Sequence, residues 1–436
     1  MSNKNTENNI HVIVDIGSSH VSVMAVEIQE SGEVRILSEE SIESNDVIYG
    51  VISQPSNAAF NINKLFRLLQ NKTPLYNGQK ACVSLNAKTM KEIPVQIVRS
   101  LNNNKAITDD LLEEMADECS EKFSQQPNVD IFDIIPVSYE LDGERTDNPV
   151  GKKGNKLSAS YNVIVGTIYI RDELKRCFAR VTTLASEDFT PLAMEALSTV
   201  LLDDEERESG CALINFGATT TTLAIYAEGV LQKLLVVPLG GKNITHDIQE
   251  LGISEKNAER LKQLKGSALE SLVTEPISIK ITSVEPNSEP VIIKTDFLAT
   301  IIEARLTELM TPIFRELRET PFELNAGIVI SGGGANLNNI IDFLEAKTRM
   351  EARFGNHSDW LSEDNDKRFY NPIYAQSIGT ALLLHDYLEE TASKEAAATP
   401  QKNQNKKVRT DNSTKKFIDK VADKLLNLFE DENYLK

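Results

Sequence analysis

The chain has 436 residues, 41% of them hydrophobic and 25% charged, which is too long for one core and predicts two or more soluble domains. A net charge of −19 argues against a nucleic-acid partner, which needs a basic face, and means that any contact with an anionic membrane must be local. Cys82, Cys119, Cys177 and Cys211 lie too far apart for zinc-ligand spacing or a disulfide framework, so reduced thiols in a cytosolic protein are expected. The opening MSNKNTENNI lacks the apolar run of a signal peptide, and no window approaches the roughly 20 apolar residues that span a bilayer.

Residues 10–28 (IHVIVDIGSSHVSVMAVEI) predict two apolar strands joined by a Gly/Ser turn. A helix follows over 57–69, with Phe60, Leu65 and Leu69 near helical spacing. From 81 to 170, short strands (ACVSL, IPVQIV, NVIVGTIYI) surround a helix at 109–123, a compact α+β unit with an exposed loop, LDGERTDNPVGKKGNKL. After a helix near 171–181, GCALINFGATTTTLAIYAEGV repeats the opening pattern of strand, Gly/Thr turn and strand. That echo predicts two similar domains facing one another, each supplying one turn. Helices and short strands fill 255–325, and AGIVISGGGANLNNIIDFL then reads as strand, glycine turn and helix. Residues 391–414 turn to Ala, Lys, Asn, Gln, Ser and Thr, which bury too little apolar surface to offset ordering entropy; a flexible linker is expected.

The two turns and the glycine run carry a common chemistry. In Asp15-Ile16-Gly17-Ser18-Ser19, glycine lets backbone approach a phosphate, small residues leave N–H groups free, and the acid can hold Mg²⁺ through water. Asn215-Phe216-Gly217-Ala218-Thr219-Thr220-Thr221 offers a second such turn, and Gly332-Gly333-Gly334 offers bare backbone for a flat adenosine. Each is weak alone; their order and spacing together are the signal. The set resembles the phosphate-1, phosphate-2 and adenosine motifs of the actin/Hsp70/sugar-kinase superfamily. IIPVSYELDGERTDNPVGKKGNKLSA, VVPLGGKNITHDI, NAERLKQLKG, IIEARLTEL and PIYAQSIGTALLL resemble the FtsA cell-division family more closely, from about Val12 to Leu384.

The resemblance implies an α/β, two-lobed actin-like fold with an inserted α+β subdomain in the first lobe and a C-terminal amphipathic helix. On that pattern 1–80 and 168–200 form the first lobe and 81–167 the insertion. Residues 201–250 form the second lobe, 251–325 its small subdomain, and 326–390 the adenosine motif and return to the first lobe; 391–414 is linker and 415–430 the terminal helix. It further implies ATP and Mg²⁺ as ligands. The nucleotide would lie among Asp15, Gly17, Ser18, Ser19 and His20 on one side and Asn215, Gly217, Thr219 and Thr220 on the other, with Gly240 and Gly241 near the cleft. Glu259 and Lys262 would lie near ribose and base, and Gly332, Gly333 and Gly334 under the adenosine. Implied partners are the tail of the tubulin-like FtsZ at about 251–325 (Arg305 and Glu308 being candidates), further copies of the chain in a filament, and later division proteins at 81–167. The implied place is the cytoplasmic face of the bacterial inner membrane at the division site.

The chain departs from the family where chemistry is concerned. His20 stands where most members carry Lys, and Asn215 and Thr222 stand where they carry acids. Asn is neutral and no general base, so ATP is expected to bind and to be hydrolysed slowly or not at all. This argues against a sugar or metabolite kinase, one alternative; a PilM-like membrane-complex scaffold is the other, and would lack a terminal amphipathic helix.

That helix is read from KKFIDKVADKLLNLFE at 415–430. At 100° per residue, Phe417, Ile418, Val421, Leu425, Leu428 and Phe429 fall within one half of the wheel and nearly all the charges within the other. With Lys402, Lys406, Lys407, Arg409, Lys415 and Lys416 nearby, this is the pattern of an interfacial membrane anchor on an anionic leaflet.

Overall fold

The opening apolar runs form the expected hairpin, β1 (Ile10–Ile16) antiparallel to β2 (His20–Ile28), and β3 (Val34–Glu43) continues the meander. The computed structural model describes residues 10–102, 105–124, 126–285 and 289–398; the terminal segment 415–430 lies outside them. Two short strands, β4 (Val47–Ile48) and β5 (Val51–Ile52), precede α1 (Pro55–Gln70), where proline occupies a first-turn position whose N–H has no helical partner. Helix α1 buries Ala58, Ala59, Ile62, Leu65, Phe66 and Leu69, whereas Phe60 is 65% exposed. Position 60 lies about 160° around the helix from position 62, so its apolar character does not join the stripe.

Strand β6 (Gln79–Cys82) pairs parallel with β1, so the ACVSL run belongs to the first-lobe sheet and not to the insertion. The insertion itself comprises β7 (Lys91–Ser100), α2 (Asp109–Ser124), β8 (Val129–Leu141), β9 (Glu144–Thr146) and β10 (Lys156–Thr167), with sheet order β7-β10-β8-β9. Ile97, Met115, Phe123, Leu157 and Tyr161 make its own small core. Strand β8 was hidden in the sequence because Asp130, Asp133 and Pro136 interrupt its alternation. The strand read through to 170 ends at Thr167, where the chain turns into α3 (Tyr169–Phe178). Strand β11 (Leu184–Ser186), α4 (Ala193–Leu201) and α5 (Asp204–Ser209) complete the first lobe, whose sheet order is β11-β6-β1-β2-β3.

The second lobe opens with β12 (Cys211–Phe216), β13 (Thr221–Ala227), β14 (Val230–Val237), α6 (Gly241–Gln249) and α7 (Glu255–Lys265). Strands β15 (Ser278–Ile281) and β16 (Val291–Lys294) with α8 (Thr295–Glu319) form its small subdomain. The chain closes through β17 (Ile328–Ser331), α9 (Ile340–Thr348), β18 (Ala352–Phe354) and α10 (Ala375–Ala398). The sheet order β14-β13-β12-β17-β18 repeats the first lobe: an antiparallel meander of three, then two parallel strands beside its first member. The internal echo is therefore one topology used twice. Helix α10 includes 391–398, the start of the expected linker, because TASKEAAA is rich in strong helix formers.

Period-two alternation on β12 serves two cores. Cys211 and Leu213 join the core shared with the first lobe, while Ala212, Ile214 and Phe216 face the core under α6, α8 and α9. The insertion also grips the free edge of β14. Asn162 Nδ2 donates to the Leu231 carbonyl at 2.9 Å, and Glu92 accepts the Leu234 N–H at 3.0 Å while pairing with Lys233 at 2.9 Å. Side chains thus satisfy backbone groups that an open sheet edge would leave for another chain.

Candidate functional site

The two hairpin turns have the same internal geometry. The Gly17 N–H donates to the His20 carbonyl at 2.9 Å, and the Gly217 N–H donates to the Thr220 carbonyl at 2.9 Å. A Cβ at either glycine would lie 3.0 or 2.9 Å from that carbonyl, so a side chain would loosen the turn. The structure also brings the turns together: Thr219 Oγ1 donates to Ser18 Oγ at 2.7 Å, and the Tyr49 N–H donates to Thr219 Oγ1 at 3.2 Å. Ser19 accepts the Ser44 N–H at 2.8 Å, and exposed His20 rests its Nδ1 3.1 Å from Ser19 Oγ.

Asp15 is the penultimate residue of β1 and is only partly exposed. Its neighbours are neutral: Gln376 Nε2, from the first turn of α10, lies 3.5 Å from Asp15 Oδ1 and donates to Ser84 Oγ at 3.0 Å. Burial pushes the Asp15 carboxyl from 3.8 up to about 6, and among the described residues no cation pairs with it. An acid held in this way suits a divalent cation that arrives with its ligand. Among the described residues no cluster of three His, Cys, Asp or Glu stands together.

Because the folded-state value is raised, the folded protein binds this proton more tightly than the unfolded chain. The ionised carboxylate therefore costs stability above about pH 6, and the cost fades as pH falls from about 6 towards 4. Displacement from 3.8 to about 6 corresponds to at most about 3 kcal/mol, and residual water contact lowers this to on the order of 1–2 kcal/mol. Asp15→Asn should thus raise the ligand-free melting temperature at pH 7.5, with little gain at pH 4. Thermal scans at the two pH values check this; a variant less stable than wild type at pH 7.5 overturns it.

Asn215 sits in β12 between Thr222 of β13 and Ser331 of β17. Thr222 is fully buried and its Oγ1 accepts from Asn86 Nδ2 at 2.8 Å, a neutral link between the lobes where an acid was sought. Gly332 has φ +88°, and a Cβ there would lie 2.4 Å from Asn215 Oδ1. At Gly334 a Cβ would fall 2.3 Å from the Phe216 ring, whereas at Gly333 the nearest atom is Ile373 Cγ2 at 3.9 Å. Two glycines of the run therefore serve close packing, and Gly333 leaves open surface.

Gly240 and Gly241 bring α6 against the second turn. The Gly241 N–H donates to the Gly217 carbonyl at 2.9 Å and the Lys242 N–H to the Ala218 carbonyl at 2.8 Å; a Cβ on Gly240 would lie 2.6 Å from Ala218 backbone. Lys262 Nζ reaches the Gly241 carbonyl at 2.9 Å, Thr245 Oγ1 at 2.8 Å and Glu259 Oε2 at 2.7 Å. All three ammonium protons are engaged, so Lys262 braces the first turn of α6 from behind. Arg305 pairs with Asp247 of α6 at 2.5 and 2.8 Å and with Glu308 at 2.7 Å. Sequence reasoning missed Ser84, Asn86, Lys242 and Gln376, which come from three separate parts of the chain, the stretch after β6, α6 and α10, and carry no common motif.

Asp15, Asn215 and Ser331 fall within the last two residues of β1, β12 and β17, and Ser84 and Asn86 follow β6, so the cluster lies at the carboxyl ends of the strands, the usual ligand-binding edge of such sheets. The family model of "Cell division protein FtsA" matches residues 212–379, and that of the "SHS2 domain inserted in FTSA" matches 88–165. The chain belongs to the FtsA family. It is 27% identical to the cell division protein FtsA of Bacillus subtilis across 78% of this chain and 76% of that one. With FtsA of Pseudomonas aeruginosa it shares 24% identity across 84% and 87%. Among solved structures, a PilM–PilN type IV pilus biogenesis complex is similar at TM-score 0.63 and 16% identity, covering 86% of this chain and 98% of that chain. MreB5 of Spiroplasma citri bound to AMPPNP is similar at 0.53 and 13%, covering 89% and 99%. These likenesses establish an actin-like fold, and the two matched models distinguish FtsA from PilM within it. As the SHS2 match implies, the insertion in the first lobe is the FtsA type, and the chain is a cell-division protein.

Proposed function

We propose that this FtsA-family chain binds ATP with Mg²⁺ between its two turns, polymerises head to tail, and tethers FtsZ to the cytoplasmic membrane at the division site. The observation that carries the nucleotide part is the meeting of two glycine turns beside an acid with no cationic partner among the described residues. Asp15 would hold the metal through water, Gly17–Ser19 and Gly217–Thr220 the phosphates, and open Gly333 the adenosine. The metal would supply neutralising charge. MreB5 of the same fold holds ADP or AMPPNP in its two structures, which supports a nucleotide here.

Asn215 and Thr222 offer a water molecule no base, so the nucleotide acts chiefly as a structural ligand that sets the closure of the lobes. The FtsZ tail would dock on the small subdomain, where Ile277, Ile292 and Phe297 are exposed, and later division proteins would meet the insertion. Membrane attachment would come from the amphipathic pattern of 415–430; among the described residues no helix is long and apolar enough to cross a bilayer. Single-turnover assays on the full chain test the nucleotide reading. Wild type should bind ATP and leave it intact, and Asn215→Asp should raise the cleavage rate about a hundredfold or more, the lower end of what a positioned general base supplies. Rapid Mg²⁺-dependent turnover by wild type overturns the structural-ligand reading.

A further inference from the structure

Lys242 stands in the first turn of α6 in the second lobe, yet its side chain belongs to the first lobe's turn. Its Nζ donates to the Ser18 carbonyl at 2.7 Å and to Asn45 Oδ1. Both acceptors are neutral, and among the described residues no carboxylate forms an ion pair with this ammonium. The acids that reach it at longer range are Glu255 and Glu259, and Glu259 is already paired with Lys262. Burial outweighs their pull and holds the Lys242 ammonium below its ordinary range. A half-buried cation lacking a counter-charge is an unfavourable arrangement unless an anion completes it. The direction of the side chain says where that anion would lie, beside Ser18 and the backbone N–H groups of the first turn. His20 is exposed and turned onto Ser19, so the first-lobe turn supplies no fixed cation of its own.

We propose that Lys242 is the phosphate-binding cation of this cleft, contributed by the second lobe to the phosphate chain of the nucleotide. The inference rests on the nucleotide reading above and deepens it. Because Lys242 comes from α6 while its partners Ser18 and Asn45 come from the first lobe, a bound polyphosphate would be gripped by both lobes at once. Loss of the terminal phosphate would remove an anion from the lysine that bridges them, and a charge-assisted contact is about twice as strong as a neutral one.

The test is equilibrium binding of ATP, ADP and adenosine to the full chain, comparing wild type with Lys242→Gln and Lys242→Arg. Lys242→Gln should weaken ATP about tenfold or more and ADP less, leave adenosine unchanged, and be largely rescued in Lys242→Arg. Equal ATP affinity in wild type and Lys242→Gln overturns the proposal while leaving the nucleotide reading intact. Parallel losses of ATP and adenosine assign Lys242 a structural role and overturn it as well. A wild-type chain that binds none of the three removes the nucleotide reading and this inference with it.

Discussion

Gly379→Ala is expected to destabilise the folded chain by about 3 kcal/mol, although glycine-to-alanine inside a helix ordinarily adds about 1 kcal/mol. Gly379 lies within α10 where that helix crosses α4, and a Cβ there would sit 1.8 Å from the Ala196 carbonyl oxygen and 2.6 Å from its carbon. The obstacle is backbone, which cannot swing aside as a flexible side chain could. The helices must separate, and the packing of Ile378, Ala381, Met194 and Leu197 around the crossing loosens with them. Only a residue without a side chain allows such an approach. Urea titration followed by circular dichroism checks this: the midpoint should fall clearly for Gly379→Ala. A midpoint equal to or above wild type would show that helix propensity outweighs the contact. Gln376, one turn earlier on α10, touches Asp15, so the variant should weaken nucleotide binding even at temperatures where it stays folded.

The second large effect concerns membrane attachment. Val421→Glu together with Leu425→Glu should abolish co-sedimentation of the full chain with anionic liposomes. Each buried Val or Leu is worth roughly 1.5–3 kcal/mol, and six apolar residues on the proposed face give a gross figure on the order of 10 kcal/mol. Helix formation and immobilisation subtract heavily from that, so a single chain would bind weakly and reversibly, and two carboxylates in the apolar face remove the remaining margin. Filaments that engage many such segments together would bind far more tightly. Assays should therefore be run with and without ATP. Unchanged sedimentation of the double variant overturns the anchor at 415–430. Binding that falls in 0.5 M salt but survives in the double variant would point instead to the basic residues of the preceding segment.

The sequence itself made the two-lobed design legible, because each hairpin is a continuous local signal: apolar strand, glycine turn, apolar strand. The turn glycines Gly17 and Gly217 were legible for the same reason, since a tight turn needs glycine at a set place and that need can be read from neighbours in the chain. Other features misled. Phe60 looked like core on spacing alone, and the ACVSL run looked like part of the insertion, yet its strand pairs with β1 across more than 60 residues of chain. Strand β8 escaped because acids and a proline break its alternation, which its partners in the insertion sheet tolerate through two register shifts.

What only the tertiary structure decided is how the separate signals meet. Sequence showed two turns but not that Thr219 donates to Ser18, and three glycines but not that two of them yield room to Asn215 and Phe216. Lys262 reaches the Gly241 carbonyl at the start of α6, a contact no spacing announced, while Lys242, which no spacing marked, aims its charge at the opposite lobe. The physical reason is common to these cases. Local conformation follows from neighbours along the chain, but the partner of a buried polar or charged group is set by which elements the cores press together.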